Sequence, residues 1–190
     1  MSESQRTDYE ALRFRQKYGS INNEGYLEKL EQDWTGIQIE GYSVENKATD
    51  FSKPIIETFN FTSNSYNEII GDNMLINPLL FFTTSKNPFR QDVRELPIYF
   101  GYPHHNKYNV SFEIPSAYTI ESIPKSITIA TPDNIEVFTY KIVALGNKIQ
   151  VVATIENNGT LLPADFYGDL KEFYQKVIEK QNEKIILKKI

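Results

Sequence analysis

The sequence predicts a mainly β fold: an antiparallel β-sandwich, with an immunoglobulin-like topology as one form of it, two N-terminal helices and one long C-terminal helix. Three observations carry this expectation. From Ile37 onward, short runs alternate apolar and polar residues and are separated at close intervals by turn signals. Before Gly36, apolar residues recur at helical spacing. After Pro163, the residues Phe166, Leu170, Phe173, Tyr174, Val177 and Ile178 fall at i, i+4, i+7, i+8, i+11 and i+12, the best amphipathic helix of the chain.

Residues 4 to 34 read as two helices. Tyr9, Ala11, Leu12, Phe14, Arg15 and Tyr18 mark the first, which Gly19 stops. Asn22 or Asn23 can cap the second, where Tyr26, Leu27, Leu30 and Trp34 share a face until Gly36. Trp34 is expected to anchor this helix to the core; the other role open to it is stacking on a ligand.

Strands follow at Ile37 to Asn46 and Ile55 to Thr62, with Ile55, Glu57, Phe59 and Phe61 on one side of the second. Tyr66 to Ile70 and Met74 to Leu80 flank Gly71-Asp72-Asn73 as a hairpin, in which Pro78 limits central pairing. Phe81 to Leu96 has no clear period, and a connection of that length in a compact domain calls for a job. Phe81, Phe82 and Phe89 are expected to pack it onto the sheet.

Pro103-His104-His105-Asn106 reads as a turn. Strands then run from Tyr108 to Ile114, Tyr118 to Ile123 and Ser126 to Ala130, followed by a hairpin of Ile135 to Leu145 and Lys148 to Ile155 around Gly146-Asn147. Ile185 to Ile190 is expected to add an edge strand guarded by Lys184, Lys188 and Lys189. Residues 1–36 are thus read as an N-terminal helical segment and residues 37–190 as the sandwich with its C-terminal helix, together one compact unit.

Composition excludes several classes of function. The chain has 190 residues, 40% of them hydrophobic and 24% charged, enough for a packed core. Its net charge of -5 argues against nucleic acid as a partner, since phosphates need a basic face. There are no cysteines, so disulfides, thiolate metal sites and a cysteine nucleophile are excluded within this chain. No window holds the roughly 18 apolar residues of a membrane helix. The polar start Met1 to Arg6 lacks the apolar region of a signal peptide. Two readings stay open: a cytosolic protein, or a piece of a longer exported chain.

The stretch Asn87 to Tyr102 organises the candidate chemistry. It opens on an Asn-Pro turn, ends in an apolar, aromatic run expected to be a strand, and holds Arg90, Asp92, Arg94 and Glu95 between them. Arginine forms bidentate pairs with carboxylates. Internal ion pairing that fixes the loop is one reading; docking to a neighbouring domain or an anionic ligand through Phe89, Arg90 and Arg94 is the other. His104 and His105 are the only histidines. Adjacent side chains of an extended segment point to opposite faces, so the pair is expected to lie on a surface turn rather than share a metal. No cofactor is expected. The triplets at Asn60, Asn109 and Asn158 match the glycosylation pattern, though Asn60 and Asn109 fall in expected strands.

The order of several motifs resembles one family. Glu24-Gly25-Tyr26-Leu27-Glu28-Lys29-Leu30-Glu31 is followed by Tyr42-Ser43-Val44-Glu45-Asn46 and Ser52-Lys53-Pro54. Then come Ile76-Asn77-Pro78-Leu79-Leu80, Asn87-Pro88-Phe89, Arg94-Glu95-Leu96-Pro97-Ile98 and Tyr167-Gly168-Asp169-Leu170-Lys171-Glu172-Phe173-Tyr174. Together they resemble the closing domain, of unknown function, of Bacteroidetes-type transglutaminase-like proteins. In those proteins a papain-like core with a Cys-His-Asp triad lies upstream. Without a cysteine, no catalytic residue carries over. The resemblance implies a non-catalytic accessory domain, a papain-like core of the same polypeptide as partner, and a periplasmic or cell-surface location. A carbohydrate- or peptide-binding module is the alternative.

Overall fold

The computed structural model describes residues 1–34, 36–63 and 65–190. The N-terminal part runs β1 (Ser2–Arg6), α1 (Asp8–Tyr18), α2 (Asn23–Asp33), β2 (Ile37–Glu45) and β3 (Ile55–Ser63). The middle holds β4 (Asn67–Ile70), β5 (Asn73–Ile76), β6 (Ile98–Tyr99), β7 (His104–Glu113), β8 (Tyr118–Ser122) and β9 (Ile127–Ala130). The chain closes with β10 (Glu136–Leu145), β11 (Lys148–Asn157), β12 (Leu161–Leu162), α3 (Tyr167–Gln181) and β13 (Ile185–Lys189).

The main sheet has seven strands in the order β2-β3-β1-β7-β11-β10-β9, and a second has four, β4-β5-β13-β8. Every pairing is antiparallel. This is the expected β architecture with two N-terminal helices and one long C-terminal helix. Its division into seven and four strands differs from the four-and-three division of an immunoglobulin constant domain.

Register explains where the core sits. Tyr42, Phe59, Ser2, Val110, Val151 and Ile142 are successive cross-strand partners, one row across six strands. Side chains alternate along a strand, so that row defines one face of the main sheet. All cover lies on this face. Over one half, Ala11, Phe14 and Tyr26 from α1 and α2 pack on Ile55, Tyr42 and Val44. Over the other half, Phe173 and Val177 of α3 and Ile185 and Leu187 of the second sheet bury Phe138, Tyr140, Ile149 and Val151. Each such fully buried side chain contributes about 1.5–3 kcal/mol. The opposite face carries Glu3, Lys107, Asn109, Gln150 and Thr139, the polar side of a one-face-buried antiparallel sheet.

Trp34 and the Phe81-Phe82 pair fill the seam between the two halves. Trp34 stacks on Phe81 at 3.8 Å between centroids and meets Phe59 edge-on at 5.4 Å, while Phe82 stacks on Tyr108 at 4.4 Å. Trp34 therefore anchors the end of α2 to the sheet.

Several local expectations hold for stated reasons. Asn22 caps α2, its side chain accepting the Gly25 N–H at 2.9 Å. Two hairpins close with two-residue loops, Gly71-Asp72 and Gly146-Asn147, whose glycines sit at φ 60° and 61°. Gly at the first loop position is what a type II′ turn requires. The polar loop after β2 is held by Arg15, which donates to the carbonyls of Asn46, Asp50 and Lys53 at 2.9, 3.2 and 3.0 Å.

Other expectations are corrected. Residues 2–6 are a strand, not the start of a helix, and that strand lies between β3 and β7 in the sheet interior. His104 and His105 begin β7 rather than form a turn. β5 stops at Ile76, and Leu80–Phe82 form a 3-10 turn in which Leu80 has φ 53°. β13 is an interior strand between β5 and β8, not an edge. Both neighbours are short strands that Ile185 and Leu187 tie to the common core.

One polar network lies inside the core. Glu57 is wholly buried and shares the row of Ile55 and Phe59. Arg6 forms an ion pair with it, and the Tyr42 hydroxyl donates to its other oxygen at 3.0 Å. Burial works against the charge on Arg6, but Glu57, together with Tyr26 and Tyr108, offsets that and raises the guanidinium above its ordinary value. Burial and the same carboxylate push the Tyr42 phenol up. The Arg6 guanidinium also lies over the Phe14 ring at 5.0 Å.

Candidate functional site: the strap over the C-terminal helix

The stretch leaving the core at Thr83 forms a strap along α3. Its contacts follow from side chains that either replace missing backbone partners or bury an aromatic ring. The Thr84 N–H donates to Gln181 Oε1 at 2.8 Å. Asn87 Nδ2 donates to the Lys171 carbonyl at 2.9 Å, and Asn87 Oδ1 accepts the Phe89 N–H at 2.9 Å, an Asx turn that aims Phe89 at the helix. Phe89 meets Tyr167 at 5.6 Å and Tyr174 at 5.2 Å between centroids. The Gln91 carbonyl then accepts from both the Tyr167 hydroxyl and Lys171 Nζ at 2.9 Å.

The strap ends in a two-stranded ribbon. β6 pairs with β12, and Ile98 and Leu162 turn inward onto Tyr167 and Leu170. The expected strand after Leu96 is thus real but only two residues long. Four apolar side chains on the strap and ribbon are exposed: Val93 at 74%, Leu96 at 73%, Tyr99 at 74% and Leu161 at 61%. Tyr99 and Leu161 are direct cross-strand partners, so they stand side by side.

Residues 72–187 match the model of a family described as a domain of unknown function with a solved structure, DUF3858. The chain belongs to this family. The DUF3858 match opens in the β4–β5 turn and closes within β13, so it takes in the strap, the ribbon and all of α3. A crystal structure of a "putative protease" from Parabacteroides distasonis is similar to part of the chain, with 17% identity and a TM-score of 0.45 over 52% of this chain and 19% of that one. The DUF3858 chain therefore spans about a fifth of that protein's length. No curated protein matches it.

The four candidate residues divide within the DUF3858 chain. Phe89, Arg90 and Arg94 lie on the strap; Trp34 lies in the core seam, outside the matched residues. Ion pairing within the strap is corrected: among the described residues, neither arginine pairs with Asp92 or Glu95. Arg94 turns back on its own loop, Nε donating to the Leu96 carbonyl at 2.9 Å. Arg90 Nε donates to the Asn87 carbonyl at 3.3 Å, which leaves the rest of its exposed guanidinium over a groove. Asp92 pairs instead with Lys171 at 3.3 Å, but its full exposure to solvent leaves that bridge weak.

The groove between strap and α3 has a volume of about 640 Å³ and is lined by Phe89, Arg90, Lys171, Gln175 and Glu179 among others. Phe89 is the one aromatic on its wall among the described residues. Among the described residues no three His, Asp or Glu side chains gather as a metal site. His105 and Glu156 approach to 3.9 Å across β7 and β11.

Two buried acids escaped the site reading. Glu57 and Glu136 each occupy an inward position of an otherwise apolar row, Ile55-Glu57-Phe59 and Glu136-Phe138-Tyr140-Ile142. A carboxylate in phase with core residues is the signal that marks them.

The strap's grip rests on Phe89. Phe89→Ala is expected to lower stability by up to about 2 kcal/mol and to speed cleavage between Thr84 and Pro97. Limited proteolysis with mass mapping checks this; unchanged cleavage sites would show that the backbone hydrogen bonds alone hold the strap.

Proposed function

We propose that this chain is a non-catalytic accessory domain that docks through its strap onto a papain-like catalytic core of a transglutaminase-like protein. The observation that carries the reading is the exposure of four apolar side chains, Val93, Leu96, Tyr99 and Leu161, of which Tyr99 and Leu161 stand side by side. They lie on the strap and ribbon, which are held to α3 at Gln91 and at Ile98, and exposed apolar side chains on a held segment suit a protein interface. Arg90 and Arg94, on the same strap, would supply polar rim contacts. The absence of cysteine supports chemistry performed in another domain. A glycan- or peptide-binding role draws less support, because a stacking platform needs several aromatic faces and the groove offers Phe89 alone.

The test is a titration of this chain against a separately produced papain-like core from a transglutaminase-like protein. Leu96→Asp and Tyr99→Asp are each expected to weaken association at least about tenfold with an unchanged melting temperature. Equal binding by wild type and both variants, or amide-crosslinking or peptidase turnover by this chain alone, would overturn the reading.

A further inference from the structure

Glu136 and Asn157 face each other at the end of the β10–β11 ladder as direct cross-strand partners. Glu136 is 0% exposed and Asn157 1%. Asn157 Nδ2 donates to Glu136 Oε1 at 2.5 Å. The remaining two oxygens, Glu136 Oε2 and Asn157 Oδ1, are sealed from solvent and have no partner. Both are acceptors, and a buried acceptor without a donor costs about 1–3 kcal/mol, more for a charged group. A proton on Oε2 would remove the carboxylate's charge and turn that oxygen into a donor, for which Asn157 Oδ1, the other free end of the same amide–carboxyl pair, is an acceptor without a partner. Exchanging the amide's nitrogen and oxygen does not avoid the proton, since two oxygens at 2.5 Å need one between them.

We propose that Glu136 is a neutral acid in the folded protein, paired reciprocally with Asn157, and that this pair is a proton-dependent clasp beneath the strap. Several groups face the pair. From β7, His104 is the cross-strand partner of Asn157. From α3, the Tyr174 phenol is raised by its own burial and then by the nearby Glu136. From the turn before β10, the Thr131 hydroxyl accepts the Glu136 N–H at 2.9 Å. His105 and Glu156 are partners on the opposite side of the pleat, and Asp8 lies beyond His104 in a pocket of about 230 Å³. Among the described residues no lysine or arginine pairs with Glu136. The clasp reaches the strap through Tyr174, on which Phe89 rests.

Burial lifts the Glu136 carboxyl from 4.5 to about 7. The folded state then keeps a proton that the unfolded chain has released. The clasp's contribution is complete below pH 4.5, declines as pH rises and is lost above about 7.

Two measurements test the clasp. In wild type, the Glu136 carboxyl carbon, assigned by its disappearance in Glu136→Gln, is followed by NMR across pH. A midpoint near 7 is expected; a midpoint near 4.5, with the exposed carboxylates, would overturn the proposal. Glu136→Gln retains the shape and one donor without a titratable proton. Its unfolding constant relative to wild type is expected to fall on the order of 100-fold between pH about 4.5 and 7. A pH-independent ratio would overturn the proposal. If the variant does not fold, the wild-type infrared spectrum decides: a protonated-carboxyl band persisting at pH about 6 supports the clasp and its absence refutes it.

Discussion

Replacing Arg6 by alanine is expected to cost about 3–5 kcal/mol, the range for breaking a buried ion pair by removing one partner. The loss arises at Glu57, which is 0% exposed and would be left with phenol donors, the Tyr42 hydroxyl among them, and no cation. For a chain of this size that corresponds to a fall in melting temperature of about 10 °C. A control that separates charge from lost packing is Arg6→Met combined with Glu57→Leu, which removes both charges and keeps most of the volume. Recovery of more than half the lost stability assigns the cost to the orphaned carboxylate. No recovery assigns it to the Arg6 stem and its contact with the Phe14 ring. Chemical denaturation reads both variants.

Deleting residues 1–6 is expected to have a still larger effect: loss of the cooperative unfolding transition. These residues bury no apolar side chain, since Met1 is exposed at 59%, so their weight in a hydrophobic tally is small. Their position makes the difference. β1 forms five-residue ladders with β3 on one side and β7 on the other. Removing it leaves facing rows of backbone N–H and C=O groups without partners in the middle of the sheet, and it removes Arg6 from Glu57. Two new strand edges also invite association between chains. Circular dichroism, thermal melting and size-exclusion chromatography check this. A truncated protein that stays monomeric and melts within about 5 °C of the intact chain would mean that β3 and β7 close directly on each other.

The parts of the fold legible in the sequence are those where side-chain chemistry and position agree. β2, β3, the β10–β11 hairpin and α3 carry apolar residues at their inward positions, so period alone finds them. β1 reads Ser2-Glu3-Ser4-Gln5-Arg6, and its inward residues Ser2 and Ser4 are buried at 0% and 1%. Larger side chains stand on either side of them, Phe59 and Val110 beside Ser2 and Glu57 and Tyr108 beside Ser4. No hydrophobic pattern marks such a strand. β13 misled for the opposite reason: its lysines look like guards of an edge, although the paired neighbours are supplied from residues 73–76 and 118–122, far away in sequence.

The candidate site divides the same way. Phe89 was legible as an anchor because an Asn-Pro turn delivers an aromatic into an otherwise aperiodic connection. The arginines were legible as polar contacts, but not their partners, since loop carbonyls compete with carboxylates for a guanidinium and only geometry decides. The exposure of Leu96 and Tyr99 was not legible, because an apolar run of that kind more often turns inward.

The threading of β1 between β3 and β7 also governs how the molecule is assembled in time. Residues 2–6 find their partners at residues 55–59 and 106–110, so the central ladder joins segments about a hundred positions apart. Such a closure carries a high entropic cost before it returns any contact energy, and topologies dominated by it fold slowly. During synthesis residues 2–6 can pair with residues 55–59 first, but their second edge stays open until residue 110 has left the exit tunnel, so the N-terminal half of the sheet and its helices can form before the central ladder closes.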